Sequence, residues 1–349
     1  MMQTPLPRYN VQQTYDWNYA HPPAAPDYQE VRFPGEWDFC GLQVNGPLGI
    51  AAGPLLNGAW CRYYAALGWS VLTYKTVRSS ARACYPPPNL VPVACGMLRG
   101  DETEVQQARE MEGTWAVSFG MPSQPPDVWR ADVERTRRAL RPGQVLVVSV
   151  VGTVQPGWDV DDLAADYARC ARWAMESGAD AVEANFSCPN VPTCDGQLYQ
   201  QPEQAAAVAA VLRETVGRLP LIIKVGFLGS DEKIEQLLEA LAPWADALSM
   251  TNSVALPVRG QDGRLMFEGQ KRGICGEAIF EASLEQVRRA AQIVKRRSFA
   301  LHLIGVGGVF TVHHLQAYLQ AGAQSVQCAT AAMLVPDLVQ RIRAEWPER

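Results

Sequence analysis

The chain has 349 residues, of which 48% are hydrophobic and 19% charged, and its formal net charge is -5. That length suits one large α/β barrel or two ordinary domains, and the apolar share with sparse charge excludes a disordered polyelectrolyte. The acidic balance gives no general pull toward nucleic acid.

Residues 1–45 read as a separate N-terminal arm. Pro22, Pro23 and Pro26 stand among Tyr15, Trp17, Tyr28 and Trp37, and so many prolines preclude a long amphipathic helix. The expectation is an extended segment lying on the barrel or on a partner subunit. Residues 46–349 then alternate apolar runs with helical stretches. The runs are 48–52, 70–76, 145–151, 181–186, 221–225, 247–252, 301–306 and 325–329. Their continuous apolar character suits strands buried on both faces. Helices are expected over 161–177, 204–217, 231–242, 284–297 and 312–321. Eight such units predict a (β/α)8 TIM barrel. A doubly wound sheet fits less well, because no Gly-x-Gly-x-x-Gly turn follows the first run. Long excursions run from 78 to 140, after strand 2, and from 254 to 281, after strand 6. Excursions of that length carry function or local structure of their own.

Nine cysteines without a Cys-x-x-Cys pair argue against a zinc ribbon or an iron–sulfur cluster. Free thiols in a reducing cytoplasm fit better. The first residues lack the charged and apolar regions of a signal peptide, and no apolar run is long enough for a membrane span. Arg288-Arg289 and Lys295-Arg296-Arg297 read as one solvated helix face.

The strand ends should converge on one site. Ala52 and Gly53 would let a flat ring approach the first strand. Lys75 and Lys224 are costly at buried strand ends unless an anion or acceptor lies beside them, although a single lysine there can also snorkel to the surface. Ser149, Asn185, Thr251, Asn252 and Ser253 add polar groups. Gly307-Gly308 offers bare backbone donors to a phosphate, or merely makes a tight turn. Thr330, beside Ala329, adds a hydroxyl, and Gly276 more backbone donors. The segment Asn185-Phe186-Ser187-Cys188-Pro189-Asn190 sets a thiol between two amides at the end of strand 4. Carboxamides orient a planar ligand, and a thiol with an ordinary pKa of about 8.5 exchanges a proton near neutrality. A buried inert thiol is the alternative for Cys188. A phosphate grip, a lysine for negative charge on a ring, amides and a thiol are what flavin mononucleotide (FMN) chemistry needs.

These residues resemble the class 1 dihydroorotate dehydrogenases. The loop from Asn185 to Pro192 is similar to that family's active-site loop. Leu48–Gly53, Tyr74–Val77 (with Thr76), Ile223–Val225, Gly305–Val309 and Ala321–Ala331 match its other flavin motifs in order. The resemblance implies an FMN-dependent barrel that oxidises the C5–C6 bond of a dihydroorotate-like cyclic amide, with Cys188 as the base. It implies Lys75, Gly120, Met121, Asn185, Asn190, Asn252 and Ser253 as the substrate set, and a soluble homodimer. Two departures concern the substrate. Val117 stands where the family presents an asparagine, and Asn89 where it presents an arginine. We therefore expect the flavin and proton machinery to be kept and the substrate pocket to be altered. Other readings are a dihydropyrimidine dehydrogenase-type or dihydrouridine synthase-type reductase, or a non-catalytic flavin-binding barrel. The acidic chain counts against a transfer RNA substrate.

Overall fold

The computed structural model describes residues 6–187 and 197–347. Eight parallel strands close into a barrel in chain order. They are β1 (Leu48–Ile50), β2 (Val71–Val77), β3 (Val145–Val150), β4 (Ala181–Asn185), β5 (Leu221–Lys224), β6 (Ala247–Met250), β7 (His302–Val306) and β8 (Ser325–Cys328). Each falls within a residue or so of an expected run, because a strand covered on both faces must be apolar throughout. Val71, Val145, Val147, Ala181, Ile222, Ala247 and Ile304 fill the lumen. The alternate residues, among them Leu72, Val148, Val182, Ile223 and Leu248, join the core beneath the helices.

The five expected helices lie at Val160–Glu176, Pro202–Val216, Asp231–Leu241, Phe280–Arg297 and Val312–Gln320. Side-chain caps fix several starts. Asp159 closes a capping box with Asp162, and Ser230 and Thr311 each accept a backbone N–H of the first turn. Gly58–Ala66 and Pro126–Ala139 complete the first two strand–helix units, and Thr330–Leu334 and Leu338–Glu345 follow β8. The expected excursion 78–140 therefore ends in an ordinary barrel helix.

The rest of that excursion and the one after β6 share a single sheet. Its order is Val254–Leu256, Arg272–Gly276, Thr114–Val117, Leu90–Ala94, Val105–Gln107, Val258–Arg259. The two edge strands are separated in the chain by Pro257 alone, whose carbonyl accepts the Val105 N–H at 3.0 Å. Proline cannot donate to a ladder, so it marks the place where the curled sheet passes from one edge to the other.

The N-terminal segment is less extended than expected. It holds a short helix, Tyr15–Ala20, and a hairpin of Trp37–Phe39 with Leu42–Val44. Cys40 and Gly41 both have positive φ, +53° and +86°, as a two-residue turn matched to strand twist requires. Phe39 and Val44 pack among the lumen residues, so the hairpin plugs the barrel at the end opposite the excursions.

Candidate active site

A cavity with about 950 Å³ of empty space, its mouth included, lies over the C-terminal ends of the strands. Its floor is made by residues at or just after the ends of every strand except β3. Ala52 and Gly53 come from β1, Lys75 and Thr76 from β2, Asn185 from β4 and Lys224 from β5. Asn252 and Ser253 follow β6, and Ala329 and Thr330 follow β8. Strict alternation would send Thr76 away from Lys75, yet both line the cavity. The pairing of β2 with β3 shifts register between Tyr74 and Val77, and such an irregularity re-aims a side chain. Thr76 Oγ1 then lies 3.0 Å from Ser149 Oγ of β3. Ser149 thus supports the floor from below rather than lining it.

Asn185 is held rigidly. Its Oδ1 accepts the Ser187 N–H at 3.1 Å, its Nδ2 faces Met121 Sδ at 3.7 Å, and its carbonyl accepts the Tyr167 hydroxyl at 2.8 Å. Asn252 Nδ2 donates to the Ser187 carbonyl, so the chain leaving β4 is tied to the chain leaving β6. Lys75 and Lys224 are 8% and 3% exposed, which places two lysine side chains largely out of solvent at the cavity floor. Gly53 has φ +147°, and a Cβ there would enter open space. The backbone beside β1 is therefore bare toward the cavity.

Several expected site residues lie behind the cavity wall. Thr251 Oγ1 accepts from Gln286 Nε2 at 2.9 Å, and Gln286 also bonds Gly226 and Leu228. Thr251 thereby locks the ends of β5 and β6 to the helix Phe280–Arg297. A Cβ on Gly308 would fall 2.4 Å from Phe280 Cβ, and one on Gly307 would press on Ile279 and Ser283. Gly276 would strike the Gly113 carbonyl, and Gly120 the Tyr85 ring. These four glycines are required by close packing where they stand. Met121 lines the cavity and has φ +52°. Cys188 and Asn190 fall outside the described residues.

The outer wall is apolar. Tyr9 and Tyr15 reach in from the N-terminal segment and pack edge-on against Phe119, with centroids 6.2 and 5.9 Å away. Leu90, Trp115 and Val117 come from the first excursion, and Gly273 and Cys275 from the second. Burial raises the pKa of both tyrosines and pushes the neighbouring Cys84 thiol up to about 11. All three are neutral groups at physiological pH. Of the two departures from the family pattern, Val117 lines the cavity. Asn89 does not, since its amide donates to the Tyr85 and Ser118 carbonyls at 2.9 and 2.8 Å.

Sequence reasoning missed the tyrosines of the arm and also Arg78. Arg78 is fully buried just beyond β2. It donates to the Met121 carbonyl at 3.1 Å and to Gly152 O and Thr153 Oγ1 at 2.9 Å. It thus fixes the loop bearing Met121 to the end of β3. The available signal was an arginine immediately after a buried strand. Among the described residues no group of His, Cys, Asp or Glu is placed to hold a metal ion, and no helix is long and apolar enough to cross a membrane.

Comparison with known proteins identifies relatives of this chain. The family model described as dihydroorotate dehydrogenase matches residues 107–349. The dihydroorotate dehydrogenase of Dictyostelium discoideum is 30% identical, with 95% of each chain covered. The catalytic subunit of dihydroorotate dehydrogenase B (NAD(+)) of Desulforudis audaxviator is 29% identical over 87% of this chain and 89% of that one. Among solved structures, Eimeria tenella DHODH in complex with ferulenol superposes with a TM-score of 0.73 at 18% identity, covering 92% of this chain and 86% of that one, a likeness of fold. The chain belongs to the dihydroorotate dehydrogenase family.

Proposed function

We propose that this chain is an FMN-dependent oxidoreductase acting on the CH–CH bond of dihydroorotate or a closely related cyclic amide. The observation that carries the reading is the floor itself. Two buried lysines and two carboxamides, from the ends of four strands, line one cavity beside a backbone left bare at Gly53. That donor set fits a flat, electron-rich ring. Ala52, Gly53, Lys75, Thr76, Asn185, Lys224 and Thr330 would hold the flavin, with Ser149 and Thr251 bracing them. Gly276, Gly307 and Gly308 would contribute through backbone placement.

When bound, FMN supplies a partner for hydride exchange with the substrate carbon. The protein does the rest. Lys75 and Lys224 put positive charge where negative charge develops. Asn185 and Asn252 orient the amide edges of the substrate. Tyr9, Tyr15, Trp115 and Phe119 keep water from the reacting face. Cys188 Sγ takes the proton in the oxidising direction or gives it in the reducing one. The apolar contact at Val117 favours a ring with less polar demand at that edge than dihydroorotate. A homodimer in a reducing cytoplasm belongs to the same proposal and rests on the family resemblance and on a sequence without any Cys-x-x-Cys pair.

The test is an anaerobic titration of the purified, FMN-loaded protein with dihydroorotate, dihydrouracil and related rings, following flavin absorbance. Bleaching by one of them is expected, and it should be lost in Cys188→Ala. A bound flavin that no such ring reduces, and that once reduced passes electrons to none, leaves only the binding reading.

A further inference from the structure

Glu183 of β4 is 1% exposed, and neither of its carboxylate oxygens has a hydrogen-bond partner among the described residues. Its direction follows from the strand. Asn185 lines the cavity and Ala181 packs in the lumen. Glu183 lies between them on the same side of the pleat, so its carboxylate sits inside the barrel, one step below the cavity floor. Beside β4, the register sets Ile222 opposite Glu183 and Lys224 opposite Asn185. Lys224 faces inward as well. Among the described residues it has no ion pair and no hydrogen bond. One strand further, Ser249 is level with Lys224, and its buried hydroxyl is also without a partner.

A carboxylate, a lysine and a hydroxyl on three adjacent strands thus point to the same side of the sheet with their bonding capacity unused among the described residues. Burying either charge alone is prohibitive. Opposite charges on neighbouring strands that point to the same side, with no direct bond between them, are the kind of pair that a buried water can join. We propose that Glu183 is the counter-ion of Lys224, linked to it through bound water that Ser249 helps to hold. Glu183 is then a positioning residue. It holds Lys224 Nζ aimed at the flavin, and so rests on the FMN reading above.

The midpoint potential of bound FMN tests this in the wild type, Glu183→Gln, Lys224→Met and the double variant. Glu183→Gln is expected to lower the potential, changing the oxidised-to-reduced ratio about tenfold, or roughly 30 mV for a two-electron couple. Lys224→Met should lower it too, the double variant should match Lys224→Met alone, and Glu183→Asp should restore part of the loss. A higher potential in Glu183→Gln, or any pattern in which the two sites act independently, overturns the proposal. A crystal structure of the wild type needs no variant and no flavin. It should show water within hydrogen-bond reach of both the Glu183 carboxylate and Lys224 Nζ. A carboxylate among apolar atoms alone, or held by another cation, overturns the proposal as well. A chain that takes up no FMN would sink the flavin reading and leave the crystal structure to decide this one.

Discussion

The floor of the cavity takes Lys75, Asn185 and Lys224 from strands hydrogen-bonded on both sides, while its outer wall takes Tyr9, Tyr15, Val117 and Phe119 from the N-terminal segment and the first excursion. Floor positions are dictated by barrel geometry, since a residue at a strand end has one direction to face. Wall positions depend on how two excursions and an arm happen to meet. The floor can therefore hold a constant cofactor while the wall changes with the substrate. Barrel enzymes diversify in this way, by loop variation over a fixed frame.

The sharpest way to break that separation is at Arg78, which joins the two regions. Its guanidinium binds the Met121 carbonyl on the wall side and Gly152 and Thr153 on the barrel side. Charge-assisted hydrogen bonds contribute about 1.5–3 kcal/mol each, and unpaired buried carbonyls add a penalty. Arg78→Met should destabilise the fold by about 3 kcal/mol or more in denaturant unfolding. A loss below about 1 kcal/mol would mean that wall and floor are held together elsewhere.

A smaller effect separates the regions instead of uncoupling them. Val117→Asn restores a carboxamide at a cavity-lining wall position. If the wall sets substrate choice, orotate should bind more tightly by about 1–2 kcal/mol, roughly five- to thirtyfold. FMN affinity should stay as it was. Calorimetric titration of each ligand into the wild type and the variant checks both halves. A change in FMN affinity as large as that in orotate affinity would show that the division into floor and wall is wrong.

The same division explains what could be read from the sequence. Every barrel strand was legible, because burial on both faces writes a continuous apolar run. The floor residues Lys75, Asn185 and Lys224 were legible because a polar side chain closing such a run is conspicuous. Tyr9 and Tyr15 were not legible. Their role depends on tertiary contact with Phe119, and nothing local distinguishes them from Tyr28 in the same proline-rich segment. The helix Gly58–Ala66 escaped because seven of its nine residues are buried, which erases the amphipathic period. Gly307 and Gly308 illustrate the converse. As a motif they suggest a phosphate grip, and in the fold their missing side chains also make room for Phe280 and Ser283.

His314 tests the edge of the floor, with the smallest expected effect. It stacks on Phe280 at 4.2 Å, and its Nδ1 accepts the Phe310 N–H at 3.2 Å. Only a ring unprotonated at Nδ1 makes that bond, and burial lowers the pKa below the usual histidine value. A histidine whose folded pKa lies below its unfolded value of about 6.5 contributes stability that is present above that value. The contribution is lost as pH falls through the folded pKa. Wild-type stability should therefore decline from about pH 7 toward about pH 5 more steeply than that of His314→Asn, which keeps an acceptor but does not titrate. Equal slopes in urea unfolding across that range would remove His314 from the account. Because Phe280, rather than the cavity, is the partner of this loop, the pH effect should appear in stability while FMN affinity stays flat. A parallel loss of FMN would instead extend the cofactor floor to the turn after β7, where the glycine pair lies.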